Sequence, residues 1–366
     1  MSVPFVDFKA ALLAMREDMS VACDNVVASG NLVLGAELSA FEDEFAEYCE
    51  SRHCIGVANG LEAISLSLRA LGVGPGDEVI VPSQTFVATW LAVSHVGATP
   101  VEVDVEADTV LIDCNKIEAA ITPKTRAIIP VHLFGQPVDM VRLMEIAKRH
   151  NLYVVEDAAQ AHGARCQGAR VGTFGDLAAF SFYPTKNLGA SGDGGAIVTQ
   201  NAELAARLKR LRNYGSEKKY YHQEVGFNSR LDELQAAYLR IKLRRLDDEN
   251  MRRQKAAQYY FDGLKDLSSV RLLDVRAERK HVYHLFVVMV QDRDRVIEKM
   301  RAAGIDVGVH YPIPPGDQLA YGFEHDRASC VTGRLASENG LSLPIWPGIT
   351  TAQQDAVIQA LSEAVE

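Results

Sequence analysis

Five short β-branched runs recur along the first half of the chain: Ile55 to Ala58, Val79 to Pro82, Pro100 to Val103, Ala127 to Val131 and Tyr153 to Val155. Stretches of helical period separate several of them. Strands that alternate with helices can bury both faces only by lying parallel in one sheet, with the helices crossing over it. Two further runs, Ala178 to Tyr183 and Ala196 to Thr199, flank a glycine-rich loop and complete the sheet in mixed orientation. The pattern predicts an α/β domain around a mostly parallel, mixed, seven-stranded sheet, preceded by an N-terminal arm.

Ahead of the strands, Leu38, Phe41, Phe45 and Tyr48 are spaced by three and four, which predicts an amphipathic helix over 36–49. From Arg230 the chain reads as a long helix with Leu231, Leu234, Tyr238 and Ile241 on one face. The charged stretch RRLDDENMRRQKAAQ follows, and the domain connection is placed there. The remainder offers a strand over 282–290, a helix over 293–303, and a last helix after Thr350 with Thr351 and Gln354 in capping-box positions. The division is a large domain over 1–240 and a small α+β domain over 241–366.

Lys and Arg total 38 against 48 Asp and Glu, and the net charge of -10 opposes a polyanion-binding surface. Neither nucleic acid nor membrane is an expected partner, because no uncharged apolar run reaches 18 residues. The six cysteines form no CxxC pair, so neither a zinc site nor a dense disulfide framework is suggested, and a reducing cytoplasm fits. His281, His284, His310 and His325 share the C-terminal third, yet the first two are three apart on a predicted strand and would face opposite sides. No metal centre is expected.

Four segments could carry chemistry. In FSFYPTKNLGASGDGGAIV, Lys186 follows a strand and precedes a loop with Gly189, Gly192, Gly194 and Gly195. A lysine desolvated there loses proton affinity and becomes a nucleophilic amine able to form an imine; the alternative is an exposed lysine before a hairpin. In VVEDAAQAHGA a strand delivers Glu156 and Asp157 to the edge where α/β sheets place ligands. Asp157 is either the anionic partner of a cofactor's ring nitrogen or a helix N-cap. In GVANGLEAISLSLRALG a strand runs into a helix at Gly60 and Leu61, whose free amides suit a phosphate; the alternative is an ordinary turn capped by Asn59. In PSQTFVATWLAV, Phe86 just past a strand end could stack on a planar group or belong to the core.

Taken in that order, from NG at Asn59 to LPIWP at Leu343, these residues resemble the fold type I pyridoxal 5'-phosphate (PLP) enzymes. More specifically, they resemble the nucleotide-sugar aminotransferases of the DegT type, over nearly the whole chain. The resemblance implies that Lys186 holds PLP as a Schiff base, Asp157 pairs with the ring nitrogen, Gln160 meets the phenolic oxygen and Phe86 stacks on the ring. The Gly60 and Leu61 amides, with Ser181, would hold the phosphate. Asn228, in GFNSRLDELQAAY, would reach the cofactor phosphate of a neighbouring subunit, so the family pattern implies a homodimer with shared sites.

The segments TWLAV, SFYPTKNLG, NYGSEKKYY and HYPIP look like those of enzymes acting at C3 of a dTDP-linked 3-keto-6-deoxyhexose. The resemblance puts Tyr183, His310 and Tyr311 at the sugar and Lys219 at the diphosphate. It implies two half-reactions: L-glutamate leaves its amino group on the cofactor as pyridoxamine 5'-phosphate, and the keto sugar then takes it. Amination at C4 of a UDP or GDP sugar is the enzymatic alternative; a regulatory homologue without the chemistry is the other.

Overall fold

The computed structural model describes residues 2–321 and 330–366, so His325 lies outside the described residues. In chain order, the strands of the large sheet are β1 (His53–Val57), β2 (Glu78–Pro82), β3 (Thr99–Val103), β4 (Thr125–Ile128), β5 (Tyr153–Asp157), β6 (Leu177–Ser181) and β7 (Gly195–Thr199). Their spatial order is β1-β7-β6-β5-β4-β2-β3. Every neighbouring pair from β6 through β3 is parallel, and β7 alone runs against the rest. The mixed seven-stranded sheet read from the sequence is therefore present.

The helices are α1 (Lys9–Ala14), α2 (Arg16–Ser29), α3 (Ala36–Tyr48), α4 (Gly60–Ala70), α5 (Ala88–His95), α6 (Met140–His150), α7 (Ala202–Leu211), α8 (Glu233–Leu243), α9 (Leu246–Leu264), α10 (Arg293–Ala302), α11 (Val331–Asn339) and α12 (Thr351–Val365). On α3, Phe41 and Phe45 meet Phe180 and Phe182 of the β6 region edge to face, with ring centroids 5.1 to 5.4 Å apart. On the opposite face, buried Ala63, Ile64 and Leu68 of α4 pack with Ile55 of β1 and Ala179 of β6. A second, antiparallel sheet is made of β8 (Val270–Leu272), β9 (Phe286–Val290) and β10 (Gly340–Leu343) in that order, covered by α9, α10 and α12.

Several expectations shift. The long helix begins at Glu233, not Arg230, and breaks before Leu246. RRLDDENMRRQKAAQ lies mostly within α9 rather than in a connection, because Leu246, Asn250, Arg253, Ala257, Tyr260 and Leu264 form its buried stripe at spacings of three and four. Polar Asn250 and Arg253 hide that stripe from a reading by hydrophobicity. The strand over 282–290 starts only at Phe286; the preceding residues are drawn aside by the bonds Val282 N–H to Gly135 O and Leu285 N–H to Phe134 O. The capping box of α12 is Thr350 with Gln353, one residue earlier than Thr351 and Gln354, since Thr350 already has extended backbone. The N-terminal arm bridges Val3 to Ile305 beside α10.

One carboxylate fixes where α3 begins. Glu233, 2% exposed on α8, accepts the N–H groups of Gly35 at 2.6 Å, Glu37 at 2.9 Å and Leu38 at 3.1 Å. A helix leaves its first amides without partners, and an anion from a neighbouring helix satisfies three here. We expect Glu233→Ala to lower the unfolding free energy by about 3 kcal/mol in urea titration, since buried amides lose a charged acceptor. Glu233→Gln should recover part of that loss.

Candidate active site

The C-terminal ends of β2, β4, β5 and β6 bring one set of side chains together. Alternation along β5 sends Glu156 and Asp157 to opposite faces. Fully buried Glu156 accepts N–H groups from Gly172, Phe174 and Gly175 at 2.9 to 3.0 Å. Its fourth contact is Nε2 of His132 at 3.1 Å. Because His132 Nδ1 accepts the Val138 N–H at 3.1 Å, the His132 proton sits on Nε2 and is donated to Glu156. The His132 backbone N–H in turn donates to Asp157 O at 3.0 Å.

On the other face, Asp157 is buried. Thr89 Oγ1 donates to its Oδ2 at 2.8 Å and the Ala159 N–H donates to its Oδ1 at 3.2 Å. Burial raises the proton affinity of this carboxyl; the bonds from Thr89 and Ala159, and then the positive charge of Lys186, pull it back down. No helix follows Asp157, so it is not an N-cap.

Lys186 stands in the turn after β6, half-buried, its backbone N–H bonded to Tyr183 O at 2.9 Å. Its ammonium has no hydrogen-bond or ion-pair partner among the described residues. Desolvation pushes its pKa down to about 8, against an opposing pull from Asp157. An amine with a pKa near 8 is partly free base at neutral pH, and that fraction can attack a carbonyl.

Gln160 Oε1 accepts the Phe134 N–H at 2.6 Å, while its Nε2 donates to the Tyr311 hydroxyl at 3.0 Å. Burial, aided by the Asp157 charge, pushes the Tyr311 phenol up. Phe86 is 51% exposed, so it is not a core residue, and its ring lies 5.2 Å from that of Tyr311. His310 Nδ1 meets Ser342 Oγ at 2.8 Å, and burial, then Lys186, lowers its pKa to about 4.

Asn59 caps α4 by accepting the Glu62 N–H at 2.9 Å, which leaves the Gly60 and Leu61 amides in the helix's first turn. A Cβ on Gly60 would come within 2.6 Å of Ser181 Cβ, so glycine lets the helix start against the end of β6. Two of the expected residues stay apart: Asn228 is exposed and bridges to Asn213, and Lys219 lies over the Tyr220 ring at 5.1 Å on an exposed hairpin. Tyr183 is 53% exposed, and its carbonyl accepts the Lys186 N–H. Within one chain, no contact among the described residues joins Lys219 or Asn228 to Lys186 or Asp157.

Sequence reading missed Thr85, Thr89, His132 and His162. Thr89 had a signal: it is the one hydroxyl within the apolar run 88–93 of α5. His162 is fully buried between Phe180 and Phe182, at 5.4 and 5.8 Å, and burial followed by Lys186 drives it down to about 3. His281 and His284 lie before β9 rather than on it. His281 stacks on Tyr283 at 3.9 Å, and His284, whose Nδ1 has no partner, is held well below its ordinary pKa by burial and then by Lys186. Among the described residues, no group of three or more His, Cys, Asp or Glu is placed to hold a metal ion.

A family model described as "DegT/DnrJ/EryC1/StrS aminotransferase family" matches residues 14–362. The chain belongs to that family. It is 50% identical over 365 residues to dTDP-3-amino-3,4,6-trideoxy-alpha-D-glucose transaminase of Streptomyces venezuelae, covering 100% of this chain and 96% of that one. It is 48% identical to dTDP-3-amino-3,6-dideoxy-alpha-D-galactopyranose transaminase of Aneurinibacillus thermoaerophilus, covering 98% and 99%. A crystal structure of S. venezuelae DesV in complex with a ketimine intermediate superposes with a TM-score of 0.98 at 50% identity, covering 100% and 99%. Within this aminotransferase family, the amine of Lys186, the carboxylate of Asp157 and the glycine-lined start of α4 fit PLP: an aldehyde, a basic ring nitrogen and a phosphate each find their chemical complement.

In the apoprotein, capture of a small aldehyde by Lys186, trapped by borohydride, should rise with pH to a midpoint near 8. Asp157→Asn should move that midpoint down, because the carboxylate favours the ammonium form.

Proposed function

We propose that this aminotransferase, with PLP as cofactor, moves the amino group of L-glutamate to C3 of a dTDP-linked 3-keto-6-deoxyhexose, giving a dTDP-3-amino-3,6-dideoxyhexose. The observation that carries the reading is an unpartnered lysine amine of lowered pKa, electrostatically coupled to a buried carboxylate, in a chain half identical to a dTDP-3-amino sugar transaminase.

PLP supplies an electron sink for the carbanion formed at the substrate carbon. Lys186 Nζ would hold the cofactor and, when free, would move a proton to and from the reacting carbon. Asp157 keeps a proton on the ring nitrogen. Gln160 faces the phenolic oxygen, Phe86 covers the ring, and the Gly60 and Leu61 amides with the Ser181 hydroxyl hold the phosphate.

Tyr183, His310 and Tyr311 bind the sugar. Asn228 and Lys219 act from a second copy of the chain; their separation from Lys186 within one chain, and the exposure of Tyr220 and Tyr221 on the same hairpin at 80% and 63%, support a homodimer with shared sites. The large domain to about residue 240 carries the cofactor, and the small domain after it closes on the sugar. Among the described residues no helix is long and apolar enough to cross a membrane. The free thiols of Cys23, Cys49, Cys54, Cys114 and Cys166 support a cytoplasmic enzyme.

The test is an absorbance spectrum with PLP, then with L-glutamate, then with each keto sugar, followed by NMR of the product. We expect a visible band that glutamate bleaches and only the 3-keto sugar restores, with nitrogen at C3. Absence of PLP binding, or nitrogen at C4, would overturn the reading at the cofactor or at the substrate respectively. Lys186→Ala should keep its fold and lose more than about 10³-fold in turnover.

A further inference from the structure

Two threonines with no role so far lie directly behind the Asp157 carboxylate. Thr89 Oγ1 is 2.8 Å from Asp157 Oδ2 and Thr85 Oγ1 is 2.9 Å from Thr89 Oγ1. Both threonines are buried, at 0% and 1% exposure, so no solvent competes for these hydroxyls. Thr85 lies in the bend that leaves β2, and Thr89 lies in the first turn of α5, so the two hydroxyls meet where strand passes into helix.

The order of the protons follows from inventory. An ionised carboxylate only accepts, and a hydroxyl has one proton to give. Thr89 must therefore donate to Asp157, its oxygen is left as an acceptor, and Thr85 must donate to Thr89. If Asp157 takes a proton on Oδ2, the donor sense of both bonds can reverse without any heavy atom moving.

We propose that Thr89, oriented by Thr85, is a positioning residue that keeps Asp157 ionised and aimed, and so sets the pH range over which the pocket retains PLP. This rests on the functional reading above. The groups facing Asp157 are few: Lys186 from the turn after β6, His132 from beyond β4 and Tyr311 from the C-terminal part, while Glu156 points to the far face of β5. Lys186 Nζ would be bonded to the cofactor in the loaded protein, and His132 already gives its one proton to Glu156. The hydroxyl pair is then the polar support of Oδ2 that persists in the loaded protein. Burial works against it by favouring the neutral acid.

The experiment measures the PLP dissociation constant from pH 5 to 9 for the wild-type protein, Thr89→Val, Thr89→Ser and Thr85→Val, with urea stability in parallel. Thr89→Val keeps the shape and removes the donor. It should weaken PLP binding about tenfold at neutral pH and move the acid-side fall in affinity up by about one pH unit, since a bond to the charged form is lost. Thr89→Ser should stay within about twofold of wild type, and Thr85→Val should move the profile the same way by less. A Thr89→Val profile that overlays wild type, or Thr89→Ser behaving like Thr89→Val, overturns the proposal. If Thr89→Val does not fold, Thr85→Val decides, and an unmoved profile there overturns it. Failure of the wild-type protein to bind PLP removes the functional reading, and the relay's role with it.

Discussion

Parallel strands end on the same edge of a sheet, and the chemistry of this protein depends on that constraint. Thr85 and Phe86 leave β2, His132 follows β4, Asp157 ends β5, and Lys186 follows β6. They are separated by tens of residues in sequence, yet they meet because each crossover returns the chain to the same side. The one reversed strand, β7, returns the glycine-rich loop to the sheet and lets Gly195 pair with Ser181 next to the start of α4.

Within that edge, one physical force acts in opposite directions on two groups. Burial favours the neutral form of each, raising the proton affinity of Asp157 and lowering that of Lys186. Left alone, they would exchange a proton and lose the charge difference that a cofactor needs. The site resolves this unequally: Asp157 receives donors on both oxygens, and Lys186 receives none. A neutral amine and a supported carboxylate can then coexist a short distance apart.

Much of this was legible in sequence. The β-branched runs gave each strand of the large sheet to within a few residues, and the spacing of Leu38, Phe41 and Phe45 gave α3. The placing of Lys186, Asp157, Gly60 and Phe86 at element boundaries on one sheet edge was legible because each lies just where a strand ends or a helix starts, whereas Gln160 came only from the family resemblance. Illegible were the groups whose meaning lies in a distant partner. Glu233 reads as a helix surface residue until Gly35 appears beside it, and Asn250 and Arg253 read as solvated until α9 is seen buried. The strand over 282–290 was overextended because Val282 and Leu285 are apolar for a different reason: they pack beneath the 133–136 turn rather than in a ladder. Periodicity cannot tell these two uses of an apolar residue apart.

The approach of Gly60 to Ser181 has its own consequence. Carbon against carbon sets the position of the α4 start, so that spacing does not respond to ionic strength or to the titration of any neighbour. Elsewhere on the molecule, exposed ion pairs such as Arg149 with Glu118 relax as salt rises. The anion cradle keeps its shape through such a change, and only the attraction between its amides and an anion is screened. Salt would therefore alter how strongly a phosphate is held at the α4 start without altering where it would sit.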